Sequence, residues 1–303
     1  MKILITGDTG LVGSNLKKKL VNHDVVGLSR STGCDLNDAQ RVEDEISNIK
    51  PDVVYHCAAN AAESRGQISP IDMTQNNLGI FVNVLKASIN ANVKKFIYIS
   101  SVAVYGEAPI PYKEDAELRP KDVYGVNKMA AELILRIMAK VYSFEYVIIR
   151  PHNIYGPGQD MSNPHKNVVA LFMRNIIENK PYTLYGGGNM RRAFSYVDDV
   201  VGVLEECLTD RIKNTIINVG SDLDISVREL SDLIQKIARK KAKVTLLPAR
   251  PQEISMFLAD HTLQHSLFNY HQTPIMEGLT LTWEWVKKKQ LPMLKVQNNE
   301  IHV

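Results

Sequence analysis

Three side chains have the types and spacing of a proton-transfer centre. Tyr124 and Lys128 are four residues apart in a segment with helical periodicity, which places them on one helix face about one turn apart. An ammonium group near a phenol favours the phenolate, so Lys128 is predicted to lower the pKa of Tyr124 towards that of a general base. Ser101 follows the apolar run 95–99, at the strand end where doubly wound sheets place their ligands. Together the three side chains could take a hydroxyl proton while hydride leaves for a nicotinamide.

A Tyr/Lys pair at this spacing is, by itself, also common as an ordinary helix-surface pair, and the glycine motif at the start of the chain gives it a chemical context. The apolar run Lys2–Thr6 precedes glycines spaced G-x-x-G-x-x-G and an amphipathic stretch, a pattern that predicts a strand, a tight turn and a helix N-terminus. Glycines let the backbone approach a pyrophosphate, and the first N–H groups of the helix favour its charge. Without the other motifs, an ordinary glycine-rich loop remains the alternative. The predicted dinucleotide-binding residues of this loop are Gly7, Thr9, Gly10, Leu11, Val12 and Gly13.

The elements that position these residues alternate between apolar strands and helices. Strands are predicted over residues 24–28, 52–56, 95–99, 146–150 and 215–219, and helices over 38–50, 76–90, 122–142 and 227–239. This order predicts an α/β fold with a Rossmann-type, doubly wound parallel sheet. Proline and glycine punctuate the chain from Pro151 onward and indicate a smaller, discontinuous substrate lobe. We assign 1–154, with returning segments about 193–240, to the dinucleotide domain, and 155–192 and 241–303 to the lobe.

Composition excludes several other classes of protein. The 303 residues are 45% hydrophobic and 23% charged, with a net charge of +3, which is ordinary for a globular protein. The basic clusters lack interleaved aromatic residues, so no nucleic-acid partner is expected. Three widely spaced cysteines argue against a disulfide framework or a metal site. No apolar run is long enough to span a membrane, and we expect a cytoplasmic protein.

The chain resembles extended short-chain dehydrogenases/reductases of the sugar-nucleotide epimerase/dehydratase family over essentially its whole length. The motifs that carry this resemblance occur in the family's order. They are Thr6-Gly7-x-x-Gly10-x-x-Gly13, His56-Cys-Ala-Ala59, Asn77-x5-Asn83, Ser100-Ser101-Val-Ala-Val-Tyr-Gly106, Tyr124-x3-Lys128, Arg150-Pro-His-Asn-Ile-Tyr-Gly-Pro157, Arg192-Ala-Phe-Ser-Tyr-Val-Asp-Asp199, Asn218-Val-Gly-Ser221 and Arg250-Pro251.

The resemblance implies a role for each matching residue. Tyr124 would be the catalytic base and acid, Lys128 its modulator and a ribose ligand, and Ser101 a partner of the sugar oxygen. A nucleotide-diphosphate sugar would be the substrate, and arginines suit its phosphates because guanidinium offers fixed, charged donors. The implied substrate-binding residues are Ser101, Val102, Ala103, Tyr124, Asn153, Arg192 and Arg250. The implied cofactor-binding residues beyond the glycine loop are Ser29, Arg30, Asp35, Leu36, Cys57, Ala58, Ala59, Asn76, Ser100, Tyr124, Lys128, Pro151 and Asn153. The resemblance also implies a homodimer through the helices of about 76–90 and 122–142.

Two positions depart from the family's pattern and narrow the reaction. Dehydratases of the family carry an acidic pair after the strand-end serine, where this chain has Val102 and Ala103. An apolar pair cannot shuttle protons, so dehydration and decarboxylation are disfavoured. A nucleotide-sugar 4-epimerase is the predicted function, and an NADPH-dependent 4-ketosugar reductase is the alternative. A dinucleotide-sensing protein without catalysis is the third hypothesis, which the intact Ser101, Tyr124 and Lys128 argue against.

The end of the second strand predicts the cofactor. NAD-preferring Rossmann proteins usually have an acidic residue there, whereas this chain has Ser29-Arg30, which suits a 2′-phosphate and predicts NADP(H) over NAD(H). A solvent-facing Arg30 with no ligand is the alternative. NADPH should therefore bind about tenfold more tightly than NADH, and Arg30→Ala should remove most of that difference in a fluorescence titration. Equal affinities in the wild type contradict the prediction.

Overall fold

The computed structural model describes residues 1–61, 68–161, 167–249 and 256–299, with side chains of the last helix described through residue 288. The strands of the described chain are β1 (Lys2–Thr6), β2 (Asp24–Leu28), β3 (Val53–His56), β4 (Lys95–Ile99), β5 (Glu145–Pro151), β6 (Asn153–Tyr155), β7 (Tyr182–Tyr185), β8 (Arg191–Tyr196), β9 (Thr215–Val219), β10 (Asp224–Ser226), β11 (Val244–Leu247) and β12 (Met256–Phe257). The helices are α1 (Leu11–Lys19), α2 (Ala39–Ile49), α3 (Pro70–Thr74), α4 (Ile80–Asn90), α5 (Val123–Tyr142), α6 (Val168–Glu178), α7 (Val197–Glu206), α8 (Val227–Ala238), α9 (Thr262–Leu267) and α10 (Ile275–Asn299).

Six parallel strands form the central sheet in the order β2-β1-β3-β4-β5-β9. The predicted Rossmann-type α/β fold is confirmed, and the predicted strands agree with the observed ones to within one residue. The chain places β2 on one side of β1 and β3 on the other. Because the strand order reverses there, a crevice opens beyond the carboxyl ends of β1 and β3.

Alternation along each strand builds two cores, one on each face of the sheet. Ile3 and Ile5 of β1 face a core that is completed by α1 and α7. Leu4, between them, faces the opposite core, which is completed by α2, α4 and α5. Strands that are buried on both faces have continuous apolar sequences, and for this reason the positions of these strands could be predicted.

Helix ends follow local capping chemistry. Asp38 and Asp122 accept hydrogen bonds from the N–H groups of Arg41 and Gly125, and so begin α2 and α5. The helix predicted from residue 76 begins earlier, because α3 starts at Pro70 and continues through a π-helical turn, Gln75–Gly79, into α4. Within the described chain, no helix combines the length and apolar character required to cross a membrane.

The second lobe has its own core between α6, α8 and α10 and the strands β7 and β8. Residues 193–240 were assigned, as returning segments, to the dinucleotide domain, whereas α8 within them packs in the core of the second lobe. Leu230 and Ile234 of α8 are fully buried in the lobe core, because the apolar face of α8 meets α6 and α10. The remaining domain boundaries stay a prediction.

Gly27 in β2 gives a test of the packing beneath the glycine loop. A Cβ on Gly27 would lie 1.9 Å from Oδ2 of Asp8, a buried side chain whose Oδ2 accepts a hydrogen bond from Lys17 Nζ at 3.0 Å. Gly27→Ala should lower the free energy of unfolding by about 1–3 kcal/mol, because Asp8 must move out of that contact. Gly202→Ala in α7 is the matched control. Nothing lies within 4 Å of its Cβ, and helix propensity favours alanine by up to about 1 kcal/mol. Equal denaturation curves for wild type and Gly27→Ala contradict this account.

Candidate active site

The glycine loop lies in the crevice at the strand-order reversal and has the shape of a phosphate cradle. Gly7 has φ +68°, and a Cβ there would lie 2.7 Å from the Cα of Ala58, just after β3. A Cβ on Gly13 would lie 2.3 Å from the Gly7 carbonyl oxygen. Gly10 is the N-cap of α1, and no described side chain caps that helix end. The first N–H groups of α1, from Leu11 to Gly13, are therefore left for a pyrophosphate, so the residues present fit a dinucleotide.

Hydroxyl groups collect at the carboxyl end of β2. Thr9 Oγ1 lies 2.9 Å from Ser31 Oγ, which lies 3.1 Å from Ser29 Oγ. Arg30 begins a 3-10 turn, Arg30–Thr32, and is exposed beside these hydroxyls. This group of four hydroxyl side chains, Thr9, Ser29, Ser31 and Thr32, is called the hydroxyl cluster below. It joins the glycine loop to the end of β2, where the adenosine ribose of a dinucleotide lies in this fold.

The predicted adenine and loop residues lie around the same crevice. Asp35 accepts hydrogen bonds from the N–H and Nδ2 of Asn37, and Leu36 is buried. Asn76 donates to Asp72, and its oxygen accepts a 3.3 Å hydrogen bond from Asn37. These contacts show where the residues lie, and their contact with a cofactor stays a prediction.

The loop after β3 is held by a residue that the sequence motif contained without a role. Asn77, buried in the π-helical turn, accepts from the Asn60 N–H at 3.1 Å and donates to the Asn60 oxygen at 3.2 Å. This pairing holds the loop that carries Cys57, Ala58 and Ala59 beside Gly7. Burial raises the pKa of the Cys57 thiol to about 12, so Cys57 is a neutral wall of the crevice and no nucleophile.

Helix α5 brings the predicted Tyr124 and Lys128 together at the end of β4. Lys128 Nζ donates to the Ile99 carbonyl oxygen at 2.6 Å and lies 5.6 Å from the centroid of the Tyr124 ring. The Tyr124 side chain packs with Met73 and Ala103, and only 6% of Tyr124 is exposed. Burial lowers the pKa of Lys128 to about 8, against the smaller opposing effects of Cys57 and Glu132. Lys128 and Tyr124 are thus neighbours on α5, with the Lys128 ammonium close to the phenol ring.

Ser101 begins the turn that packs against Tyr124. Its Oγ accepts a hydrogen bond from the Ala103 N–H at 3.1 Å and caps the 3-10 turn Val102–Val104. Val102 and Ala103 are both buried, and Ala103 touches Tyr124. Ser101 is therefore linked through Ala103 to the Tyr124 ring, and the residues that follow Ser101 are apolar where a dehydratase would need acidic side chains.

The lobe side of the site carries Arg192 and Asn153. Arg192 lies on β8, and its guanidinium carbon is 4.7 Å from the centroid of the Phe257 ring on the paired strand β12. Its Nη1 donates to the Arg191 oxygen at 2.8 Å. Asn153 lies on β6, which pairs with the carboxyl-terminal half of β8, with Asn153 opposite Phe194. Arg250 lies outside the described residues. The cation–π contact orients the planar guanidinium against the aromatic ring.

The charged network behind the triad was not predicted from the sequence. Glu132 forms a buried ion pair with Arg150, and Arg150 Nη1 donates to the Tyr105 hydroxyl at 2.7 Å. Tyr105 in turn donates to Asn218 Oδ1 at 2.6 Å. The sequence does contain a pattern that points to Glu132, because it lies four residues after Lys128 and eight after Tyr124, on the same helix face. Among the described residues, no three His, Cys, Asp or Glu side chains form a group that could hold a metal ion.

A Rossmann sheet with a phosphate cradle and a buried Tyr/Lys pair defines a dinucleotide-dependent enzyme. The model of the NAD dependent epimerase/dehydratase family matches residues 3–220, so the chain belongs to that family, as its motifs predicted. It is 29% identical to the UDP-glucose 4-epimerase of Mycolicibacterium smegmatis, over 95% of this chain and 99% of that protein.

Solved structures of the family share the whole fold. UDP-glucose 4-epimerase of Thermotoga maritima, solved with UDP-glucose, superposes with a TM-score of 0.89 at 27% identity, over 96% of this chain and 100% of that one. The UDP-glucose 4-epimerase of Thermus thermophilus, in complex with NAD, gives a TM-score of 0.87 at 28% identity, over 95% and 100%. Relatives named GDP-L-fucose synthase, from Escherichia coli, and dTDP-D-glucose 4,6-dehydratase, from Mus musculus, also match, so the names span several reactions.

The lowered pKa of Lys128 predicts an alkaline limit to activity. Lys128 is charged below about pH 8 and neutral above it, so it stops favouring the Tyr124 phenolate as the pH rises. The kcat/KM of the wild type should fall by about tenfold per pH unit on the alkaline side of that value. Lys128→Met, which has no charge to lose, should be slow throughout and lack this limb. A wild-type profile that stays level far above the lowered pKa contradicts the assignment.

Proposed function

We propose that this enzyme is a nucleotide-sugar 4-epimerase that works by transient oxidation at sugar carbon 4. The observation that carries the proposal is the buried Tyr124–Lys128 pair beside Ser101, enclosed by the apolar Val102 and Ala103. Such a centre can remove and return one hydroxyl proton, and its wall offers no second acid or base for eliminating water. In this proposal the phosphate cradle binds the cofactor and Arg192 binds the substrate diphosphate.

Each residue has one task in the proposed reaction. A nicotinamide dinucleotide, when bound, supplies a hydride acceptor that also returns the hydride. Tyr124 takes the proton of the carbon 4 hydroxyl onto its phenol oxygen and later gives it back. Lys128 favours the phenolate by its charge, and Ser101 donates a hydrogen bond to the sugar oxygen, which steadies the 4-ketosugar. Arg192 and Asn153 hold the diphosphate side while the ketosugar turns to present its other face.

We further propose that the cofactor is NADP(H) rather than NAD(H). Support comes from the hydroxyl cluster and the exposed Arg30 at the end of β2, which together offer hydrogen-bond donors and a positive charge to a 2′-phosphate. The nearby Asp8 carboxylate is buried and already paired with Lys17 through Oδ2. The Thermus thermophilus neighbour contains NAD, and the Arg30→Ala titration separates the two cofactors directly.

An NADPH-dependent 4-ketosugar reductase remains the second candidate, favoured by Arg30 alone. The same triad would then act once and release the oxidised cofactor. The two functions differ in cofactor turnover, since an epimerase recycles its dinucleotide and a reductase consumes one NADPH per product. Incubation with a panel of nucleotide sugars, followed by NMR and mass spectrometry, should show epimers at constant NADPH absorbance. Consumption of NADPH with a 4-keto sugar nucleotide would instead establish the reductase. Inactivity against the whole panel would favour a sensing role.

We also propose that two chains pair through α4 and α5. Val126, Leu133, Ile137 and Val141 are exposed on α5 at spacings of seven, four and four, which align them along one side of the helix. Val82 on α4 is exposed as well. A single-chain mass by multi-angle light scattering would contradict the dimer.

Replacement of the proposed base gives the most direct mutational test. Tyr124→Phe removes only the phenol oxygen and should lower kcat by at least about a hundredfold, since no other group takes the proton. The dissociation constant of NADPH should change by less than about twofold, because the ring and its packing remain. Tyr142→Phe, at the exposed far end of α5, is the matched control and should leave the rate unchanged. Retained turnover in Tyr124→Phe removes Tyr124 from its proposed role.

A further inference from the structure

Helix α5 holds the end of β4 at two consecutive residues. Lys128 Nζ donates to the oxygen of Ile99, and one turn further on Glu132 accepts the hydroxyl hydrogen of Ser100. Ser101 is the next residue of the chain. The position of its hydroxyl relative to the helix is therefore set by the residue immediately before it.

Glu132 is itself held in one orientation. Arg150 Nη2 lies 2.6 Å from Oε2, and Nε lies 3.0 Å from Oε1. Both side chains are 2% exposed, so the pair is removed from water and neither oxygen is free to rotate. The same Oε1 that meets Arg150 Nε accepts from Ser100, which fixes the direction of the Ser100 hydroxyl.

Arg150 also fixes the other end of the Ser101 turn. Its Nη1 donates to the hydroxyl of Tyr105 at 2.7 Å and to the Glu114 oxygen at 3.0 Å. Tyr105 directly follows the 3-10 turn that Ser101 caps. The ion pair therefore ties helix α5 to the residue before the turn and to the residue after it.

A contribution to stability is a weak explanation for a buried Glu132–Arg150 ion pair. Desolvating two charges costs about as much as their attraction returns, and an apolar pair of similar volume is often equally stable. Geometry is a stronger reason, because a displacement of about 1 Å between reacting groups costs about a hundredfold in rate. Glu132 is buried behind the triad and has no route to a substrate, so it can act only through its partners.

From these contacts we propose that Glu132 is a positioning residue that holds Ser101 in register with Tyr124 through the hydroxyl of Ser100. The expected loss of rate on breaking this link rests on the proposed function, whereas the expected shift of Ser101 does not. Ser100 is also one of the residues expected to contact the cofactor. Its side chain faces Glu132 in the interior, so its backbone is the part that can face a cofactor.

Ser100→Ala tests the proposal because it removes the link and leaves the Glu132–Arg150 pair intact. We expect kcat to fall by about tenfold or more, while KM and the dissociation constant of NADPH change by less than about twofold. Ser88→Ala is the matched control. Ser88 is also fully buried and loses one hydroxyl hydrogen bond, at 2.7 Å to the Val84 oxygen, but it lies on α4 away from the triad. An unchanged kcat in Ser100→Ala overturns the proposal, as does an equal loss in Ser88→Ala.

Crystal structures of the wild type and Ser100→Ala give a readout that needs no substrate. We expect Ser101 to shift by more than about 0.5 Å relative to Tyr124 or to adopt two conformers, with the Glu132–Arg150 pair unmoved. An unmoved, single Ser101 overturns the proposal even if the rate falls. If the wild type acts on no nucleotide sugar, the proposed function fails and this comparison still decides the role of Glu132.

Discussion

The seating of helix α5 on the end of β4 is the constraint on which the rest of the site depends. A buried lysine is costly to desolvate, and Lys128 is accommodated because its ammonium donates to the Ile99 carbonyl and lies against two tyrosine rings. The same burial lowers its pKa to about 8, so the charge it offers Tyr124 is close to being lost. The contact of Lys128 with Ile99 thus ties α5 to the end of β4, and the burial that accompanies it underlies the predicted alkaline limit.

The sheet supplies the other half of the site. Its order reverses between β1 and β3, and this opens the crevice that holds the glycine loop against Ala58. The loop explains only that a dinucleotide binds. The hydroxyl cluster and Arg30, which follow at the end of β2, carry the proposal about which dinucleotide binds. The Ser101 turn carries the proposal about which reaction is catalysed. Val102 and Ala103 support the proposed function as much as the triad does, because a dehydratase would need acidic side chains at their positions.

The parts of the fold and site that the sequence predicted are those that depend on local patterns. Double-sided burial makes the central strands continuous apolar runs, and the Tyr124–Lys128 spacing is a property of one helix. Contacts between distant residues could not be predicted in this way. Glu132 meets Arg150 and Ser100 only after β4, α5 and β5 have assembled, and Phe257 reaches Arg192 only through the pairing of β12 with β8. Helix α8 packs with α6 and α10, which its own amphipathic pattern does not specify.

In the proposed reaction Tyr124 takes the carbon 4 hydroxyl proton, a bound dinucleotide would accept the carbon 4 hydride, and the same hydride would return to the other face of the sugar. A nucleotide sugar that the enzyme accepts, labelled with deuterium at carbon 4, tests this directly by NMR. The account predicts that the epimeric product keeps the deuterium at carbon 4 in ordinary water, with no net change in the reduced cofactor. Loss of the label to solvent, or its recovery in released cofactor, would contradict the account.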